Sequence, residues 1–338
     1  MSNKERITWL LITIAIGVSV FYFNFRSVPL DVVVKQISDT NYWWLLVALL
    51  IMVAYFFTTA KIVVTLVDKN HRPSIWQGLR VALLEQFGNG VTPMAIGGQP
   101  MQMLGLSQAG VPIGEATSVS LMKFIIYQGM IVVTFLISLV FGFRYVADHL
   151  KAMTVLVVFG VVIHLVVLFL LIFVMFSPRV TKTMASLVVK PIEWFTDKNK
   201  ARGIHESLNE KIEDFHAVSK LLFSQKKVLF KTSLLTLLQL IFFYVVPYFI
   251  LLAFKIPNVN LLFVVALNVI LTLAVSIFPI PGGSGGAEIG FKMLFASFIT
   301  YQPQLILAML LWRILTYYLG LFAGIVAYNF IPNNEKRK

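Results

Sequence analysis

Ser276-Ile277-Phe278-Pro279-Ile280-Pro281-Gly282-Gly283-Ser284-Gly285-Gly286-Ala287-Glu288 is the stretch that decides how this chain folds. It follows one long apolar run and leads into another. Proline lacks the amide donor a helix needs, and glycine adds backbone entropy, so no α-helix continues through this stretch. In lipid, the polar backbone groups freed by such a break must be satisfied inside the protein or by a water-filled cavity. An interrupted membrane helix that carries an acid therefore reads as a working site, not as a plain anchor.

The surrounding sequence supplies the membrane. Of the 338 residues, 58% are hydrophobic and only 13% charged, against about 25% charged in soluble domains. The mean hydropathy is +0.84. The fold class expected is all-α, a polytopic membrane helix bundle. Cysteine is absent, which excludes disulfides, thiol catalysis and thiolate metal sites. The five histidines are scattered, so no metal site is expected, and no P-loop, cofactor motif or catalytic constellation occurs. The net charge of +13 fits the Lys and Arg of membrane loops, not nucleic acid.

Stretches long enough to span the hydrocarbon core fall at about 7–25, 42–67, 117–143, 152–176, 230–254, 260–280 and 304–329. The first lacks a small-residue cleavage site and reads as a retained span. Loops 68–116 and 177–229 hold most of the cations, so the positive-inside rule places them, with both termini, in the cytoplasm. Seven crossings would leave the tail Glu335-Lys336-Arg337-Lys338 outside. Counting 286–300 as a crossing restores parity, giving about eight, with 260–300 as a hairpin broken at 278–288 near the cytoplasmic side. Within 75–110, the core from Asn89 to Pro100 breaks a second helix, and a re-entrant pair, Ile75–Phe87 and Gln99–Gln108, fits it, the alternative being a cytoplasmic loop with one interfacial helix. The break residues are Pro93, Gly97 and Gly98 in one segment and Pro279, Pro281, Gly282, Gly283, Gly285 and Gly286 in the other. Thr92-Pro93 before Gly97-Gly98 echoes Phe278-Pro279 before Gly282-Gly283. Transporters built from internal repeats bring such discontinuous helices together near the midplane.

In 177–229, Leu208, Ile212, Phe215, Val218 and Leu222 form one apolar stripe. Such a helix lies on the membrane surface or packs under the bundle.

Ionisable groups at membrane depth are costly and usually functional. Lys61 and Lys231 lie near span ends and can snorkel. Lys123 sits deeper, where it snorkels or faces a cavity. Arg313 falls near mid-depth, at an insertion cost of roughly 2.5–3.5 kcal/mol. Glu288 precedes Lys292 by one helical turn, an order that favours a local ion pair. Arg313 then needs Glu288, Glu85 or an outside anion. His164 reads as a satisfied core histidine. Gln86, Asn89, Gln99, Gln102, Gln128, Gln239 and Asn268 suit helix–helix hydrogen bonds or a wet cavity. The half-helix starts at Gly98–Gln99 and Gly285–Gly286 aim positive dipole ends at one place. With Lys123, Lys292 and Arg313 they make an electropositive site, for which a phosphate-bearing lipid head group is the natural ligand.

Thr92-Pro93-x-x-x-Gly97-Gly98-Gln99-Pro100-Met101-Gln102, Met122-Lys123-Phe124 and Pro279-x-Pro281-Gly282-Gly283-x-Gly285-x-x-Glu288 resemble the transmembrane region of bacterial lysylphosphatidylglycerol synthases, the flippase-like multiple peptide resistance factor group. Many relatives have an acid and an arginine after the first Gly-Gly, where this chain has Gln99 and Gln102. The resemblance implies a lipid-moving membrane half in a bacterial cell membrane, translocating an anionic or aminoacylated phospholipid such as lysylphosphatidylglycerol. The consequence it implies is resistance to cationic peptides. Lys123, Glu288, Lys292, Arg313, Gln99 and Gln102 are the candidate substrate-binding residues. No segment is large enough for the tRNA-dependent synthase domain, so the expected partners are a membrane phospholipid, a separately encoded synthase and a second copy of the chain. The alternatives are a phosphatidylglycerol lysyltransferase, as the family name suggests, and a small-solute secondary transporter.

Overall fold

The chain is seen as a computed structural model describing residues 38–143, 151–183, 212–276 and 278–329, and the regular structure among these residues is helical. The 7–25 span, the C-terminal tail and Leu208 lie outside the described residues.

Asn41, whose side chain accepts from the Trp43 amide, starts α1, Tyr42–Leu66. A Ser74/Gln77 capping box starts α2, Ile75–Val91. A 3-10 turn at Pro93–Ala95 separates it from α3, Gly98–Gln108. Then come α4, Ile113–Ser138, which runs on through a π-helical turn at Leu139–Phe143, and α5, Lys151–Phe176. The helix at 212–224 is α6. Next are α7, Lys226–Tyr244, and α8, Val246–Ala253, joined at Val245, with Pro247 in the first turn of α8. α9, Leu261–Val275, leads through the Pro281–Gly283 turn to α10, Gly286–Phe295. α11, Gln302–Arg313, and α12, Leu319–Asn329, are joined by a π-helical turn at Ile314–Tyr318.

Among the described residues, five of these stretches are long and apolar enough to cross a membrane: α1, α4, α5, α7 with α8, and α11 with α12. Four of the remaining helices, α2, α3, α9 and α10, form two hairpins. In the first, Arg80 Nη2 near the start of α2 donates to Gln108 Oε1 at the end of α3, 2.8 Å away. Both ends of that pair therefore lie on one side. In the second, Phe263 at the start of α9 packs on Phe298 just past α10, with ring centroids 5.6 Å apart.

The two hairpins open in opposite directions. The start of α2 packs on the end of α1, where Phe57 and Trp76 meet edge to face. The start of α1 is tied to the end of α8 by the Asn41 amide on the Ala253 carbonyl, 2.8 Å. The open end of the second hairpin lies there too, since Gln304 Nε2 donates to the Phe254 carbonyl. The hairpins thus enter from opposite ends of α1, and their turns pack on one another.

This differs in detail from the sequence-based span list. At 15 and 10 residues, α9 and α10 fall short of the roughly 20 that a crossing needs. They enter and leave on the same side, and their turn meets the other turn within the bundle, not near one surface. Parity is unchanged, because two crossings and one re-entrant hairpin return the chain to the same side.

The register of the echo also shifts. Pro93, Met94 and Ala95 correspond to Pro281, Gly282 and Gly283, and the second residues are left-handed in both turns, Met94 at φ 53° and Gly282 at φ 62°. Helices restart at Gly98 and at Gly286. Pro281, not Pro279, is therefore the counterpart of Pro93.

α6 packs under the bundle. Ile212, Phe215 and Leu222 are buried, and Ser118 Oγ of α4 donates to the Phe215 carbonyl.

Close approach holds the first hairpin shut: a Cβ on Gly88 would run into the Gly97 carbonyl, which is backbone and cannot swing away. Gly88→Ala should cost about 1–3 kcal/mol. Gly129→Ala, with nothing nearby to meet, should stay within about 0.5 kcal/mol of wild type or better. Thermal unfolding in detergent compares the two; equal midpoints would contradict this packing.

Candidate functional site

The glycine-opened turn at 281–286 leaves backbone groups inside the bundle, and the side chain that takes them up comes from α11. Arg313 is 5% exposed. Its Nη1 donates to the Gly282 carbonyl at 2.9 Å, and its Nη2 to Ser284 Oγ at 3.3 Å. Its Nε donates to Glu288 Oε1 at 2.8 Å. The second oxygen, Oε2, accepts from the Gly285 amide at 2.6 Å, capping α10. One arginine and one carboxylate thereby close the second break from both sides.

Tyr317 extends this latch to the first break. Its ring lies under the guanidinium, 4.6 Å from centroid to Cζ, a cation–π distance. Its hydroxyl donates to the Gly90 carbonyl at 3.0 Å, in the last turn of α2. The π-helical turn between α11 and α12 carries Tyr317, and such bulges recur at functional sites. Tyr317 was missed in the sequence, although its position four residues after Arg313 puts both on one helical face.

A second buried ion pair stands behind the first break. Lys123 Nζ on α4 lies 2.6 Å from both Glu85 oxygens on α2, and both residues are buried. Next along α2, Gln86 Nε2 donates to Tyr55 of α1. Thr92 Oγ1 donates to the Gly88 carbonyl and accepts from the Gly97 amide, closing the first turn.

Among the candidates, the structure brings Glu288 and Arg313 together, joined by Gly282 and Gly285. It does not pair Glu288 with Lys292. Both carboxylate oxygens are already engaged, and Lys292 is half-buried, with no ion pair among the described residues. The site is also less electropositive than expected, because Lys123 and Arg313 each face a buried carboxylate. Gln99 is half-buried. Gln102 is 1% exposed, and its Nε2 has no partner among the described residues. His164 is a satisfied core histidine, as expected, with Nδ1 2.7 Å from Gln128 Oε1.

Two surfaces flank the latch. The space beside Gly285, which is left-handed at φ 87°, is open, and Pro93, Met94, Ala95 and Ile96 at the other turn are exposed. Non-helical backbone exposed at membrane depth belongs against a water-filled cavity. An apolar groove lined by Leu156, Leu271, Val275, Phe278, Ile289 and Met293 runs beside the start of α10. Among the described residues no cluster of acids and histidines could hold a metal ion.

Residues 10–324 match the family described as the lysylphosphatidylglycerol synthase TM region. A UPF0104 membrane protein of Archaeoglobus fulgidus is 26% identical over 271 residues, covering 77% of each chain. The chain therefore belongs to the lysylphosphatidylglycerol synthase TM region family.

Removing one member of a buried ion pair leaves the other charged and unpaired, at a cost of roughly 3–5 kcal/mol. Arg313→Ala should therefore destabilise more than the paired change Arg313→Met with Glu288→Leu, which leaves no orphaned charge. Tyr317→Phe, losing one neutral hydrogen bond, should cost about 0.5–1.5 kcal/mol. Unfolding midpoints in detergent rank the three, and an Arg313→Ala protein as stable as the wild type would contradict the latch.

Proposed function

We propose that this member of the family moves phospholipid head groups between leaflets, along the seam where its two broken hairpins meet. The observation that carries this reading is the Arg313–Glu288 pair inside the second break, beside open space at Gly285 and an apolar groove. A head-group phosphate reaching the turn competes with Glu288 for the guanidinium, which matches tetrahedral oxyanions as well as carboxylates. One acyl chain follows in the groove and stays in hydrocarbon.

The paired charges favour a particular head group. A simple anionic lipid that captures Arg313 leaves Glu288 buried and unpaired, which is costly. A lysyl-type head group carries ammonium groups as well as phosphate, so it satisfies both partners at once. Aminoacylated phosphatidylglycerol is therefore the preferred cargo. Delivered to the outer leaflet it lowers the negative surface charge, and resistance to cationic peptides follows. The family takes its name from a synthase transmembrane region, which accords with cargo made by a synthase domain or partner. Without a P-loop in the sequence, movement is downhill or coupled to an ion gradient.

Proteoliposomes containing labelled lysylphosphatidylglycerol or labelled phosphatidylglycerol test this directly. The wild type should equilibrate the lysyl lipid between leaflets well above the protein-free rate and faster than phosphatidylglycerol. Glu288→Gln should slow the lysyl lipid and narrow the difference between the two. Wild-type rates equal to those of empty liposomes, for protein shown to be folded, would overturn the proposal.

A further inference from the structure

A second charged feature lies away from the latch, at the end of the bundle where α1 finishes and α7 begins. An open recess of about 280 Å³ is lined there by Lys61, Arg72, Lys227 and Lys231, with Val64, Thr65 and Val228 between them. Lys61 lies just over one turn before the end of α1. Lys227 and Lys231 occupy the first two turns of α7, which packs along α1. Arg72 comes from the loop leading to α2 and is anchored by Nη2 on the Val67 carbonyl.

Four cations thus converge on one hollow, and no acid lines it. The four are exposed, and none has an ion-pair partner among the described residues. The nearby Asp68 is turned away: its carboxylate caps the Asn70 amide, and its own amide donates to Glu115. Like charges gathered this closely repel one another unless an anion sits among them. Snorkelling lysines scattered around a bundle would leave no common hollow.

The depth and lining indicate which anion. These residues sit at helix ends, where a span leaves hydrocarbon for the head-group layer, and Val64 and Val228 offer apolar contact to a chain below. Basic pockets between membrane helices take anionic head groups, and each Lys or Arg near an anionic surface adds a comparable increment of affinity. The positive-inside rule assigns this end to the cytoplasm, the leaflet richer in anionic lipid. We infer that the Lys61–Arg72–Lys227–Lys231 recess is a binding site for the phosphate head group of an anionic phospholipid, separate from the latch and independent of whether the latch moves lipid.

The test is stabilisation of delipidated protein in detergent by short-chain phosphatidylglycerol, with phosphatidylcholine and inorganic phosphate as separate arms. The inference expects a higher unfolding midpoint with phosphatidylglycerol and little change in the other two arms. Lys227→Gln with Lys231→Gln should leave the lipid-free midpoint equal to the wild type or slightly higher, since mutual repulsion is relieved, and weaken phosphatidylglycerol binding by roughly tenfold to thirtyfold. A Tyr317→Phe variant should retain the response. Equal stabilisation by phosphatidylcholine, an undiminished response in the double lysine variant, or the same effect from inorganic phosphate would each overturn a lipid site here. None of these outcomes bears on transport by the latch.

Discussion

A helix opened by glycine and proline cannot stand in hydrocarbon unless something inside the protein takes up its loose backbone groups. Here that task falls to Arg313. Its three donor positions meet a backbone carbonyl, a serine hydroxyl and a carboxylate, so that the guanidinium replaces the water a broken helix would otherwise need. Glu288 makes the charge tolerable and returns its second oxygen to the helix start. Tyr317 couples the second break to the first through the Gly90 carbonyl. Without that arrangement the Pro281–Gly283 turn would be a defect; with it, the turn is a held-open point between two half-helices.

The same physics explains the charge pattern. Each break has its own buried pair, Glu85–Lys123 behind the first and Glu288–Arg313 at the second. A free cation at this depth would be expensive, whereas a paired one is retained until a competing ion arrives. The resting site is near neutral, and under the proposed function a charged head group would be taken up by exchange of partners. A site of free cations would instead attract every anionic lipid in the bilayer. The basic recess at the end of α1 and α7 suits that less selective role, because its four cations are exposed and have no ion-pair partner among the described residues.

Much of this was legible in the sequence, for reasons that trace to single residues. The apolar runs and sparse charges fix a helical membrane bundle, and Pro281 and Gly282–Gly283 cannot be read as helix interior. The re-entrant hairpin at 75–110 followed from Pro93 and Gly97–Gly98 in the same way. Pairing was harder to read. Glu288 has Lys292 one turn away and Arg313 far along the chain, and local spacing favours the lysine. The fold reverses that choice, because the carboxylate turns back to cap Gly285 and meets α11 there. The echo between the breaks was visible but misaligned by two residues: Pro279 precedes the true turn, and only the left-handed residues at Met94 and Gly282 identify the matching positions. Whether α9 and α10 traverse the bundle or stop within it depends on their turn meeting Pro93–Ala95, a long-range contact that hydropathy does not encode.

The whole arrangement requires that the two turns, entering from opposite ends, touch. The chain lacks cysteine, so pairs of cysteines can be introduced across the two packed turns, Pro93–Ala95 and Pro281–Gly283, and oxidative cross-linking in native membranes measured for each pair. A disulfide requires Cα atoms within about 7 Å. Packed turns predict efficient cross-linking for a subset of pairs, weakened when Arg313 is replaced by alanine. If no pair cross-links while a control pair joining α2 to α3 does, the turns do not meet, and the latch loses its place in the fold.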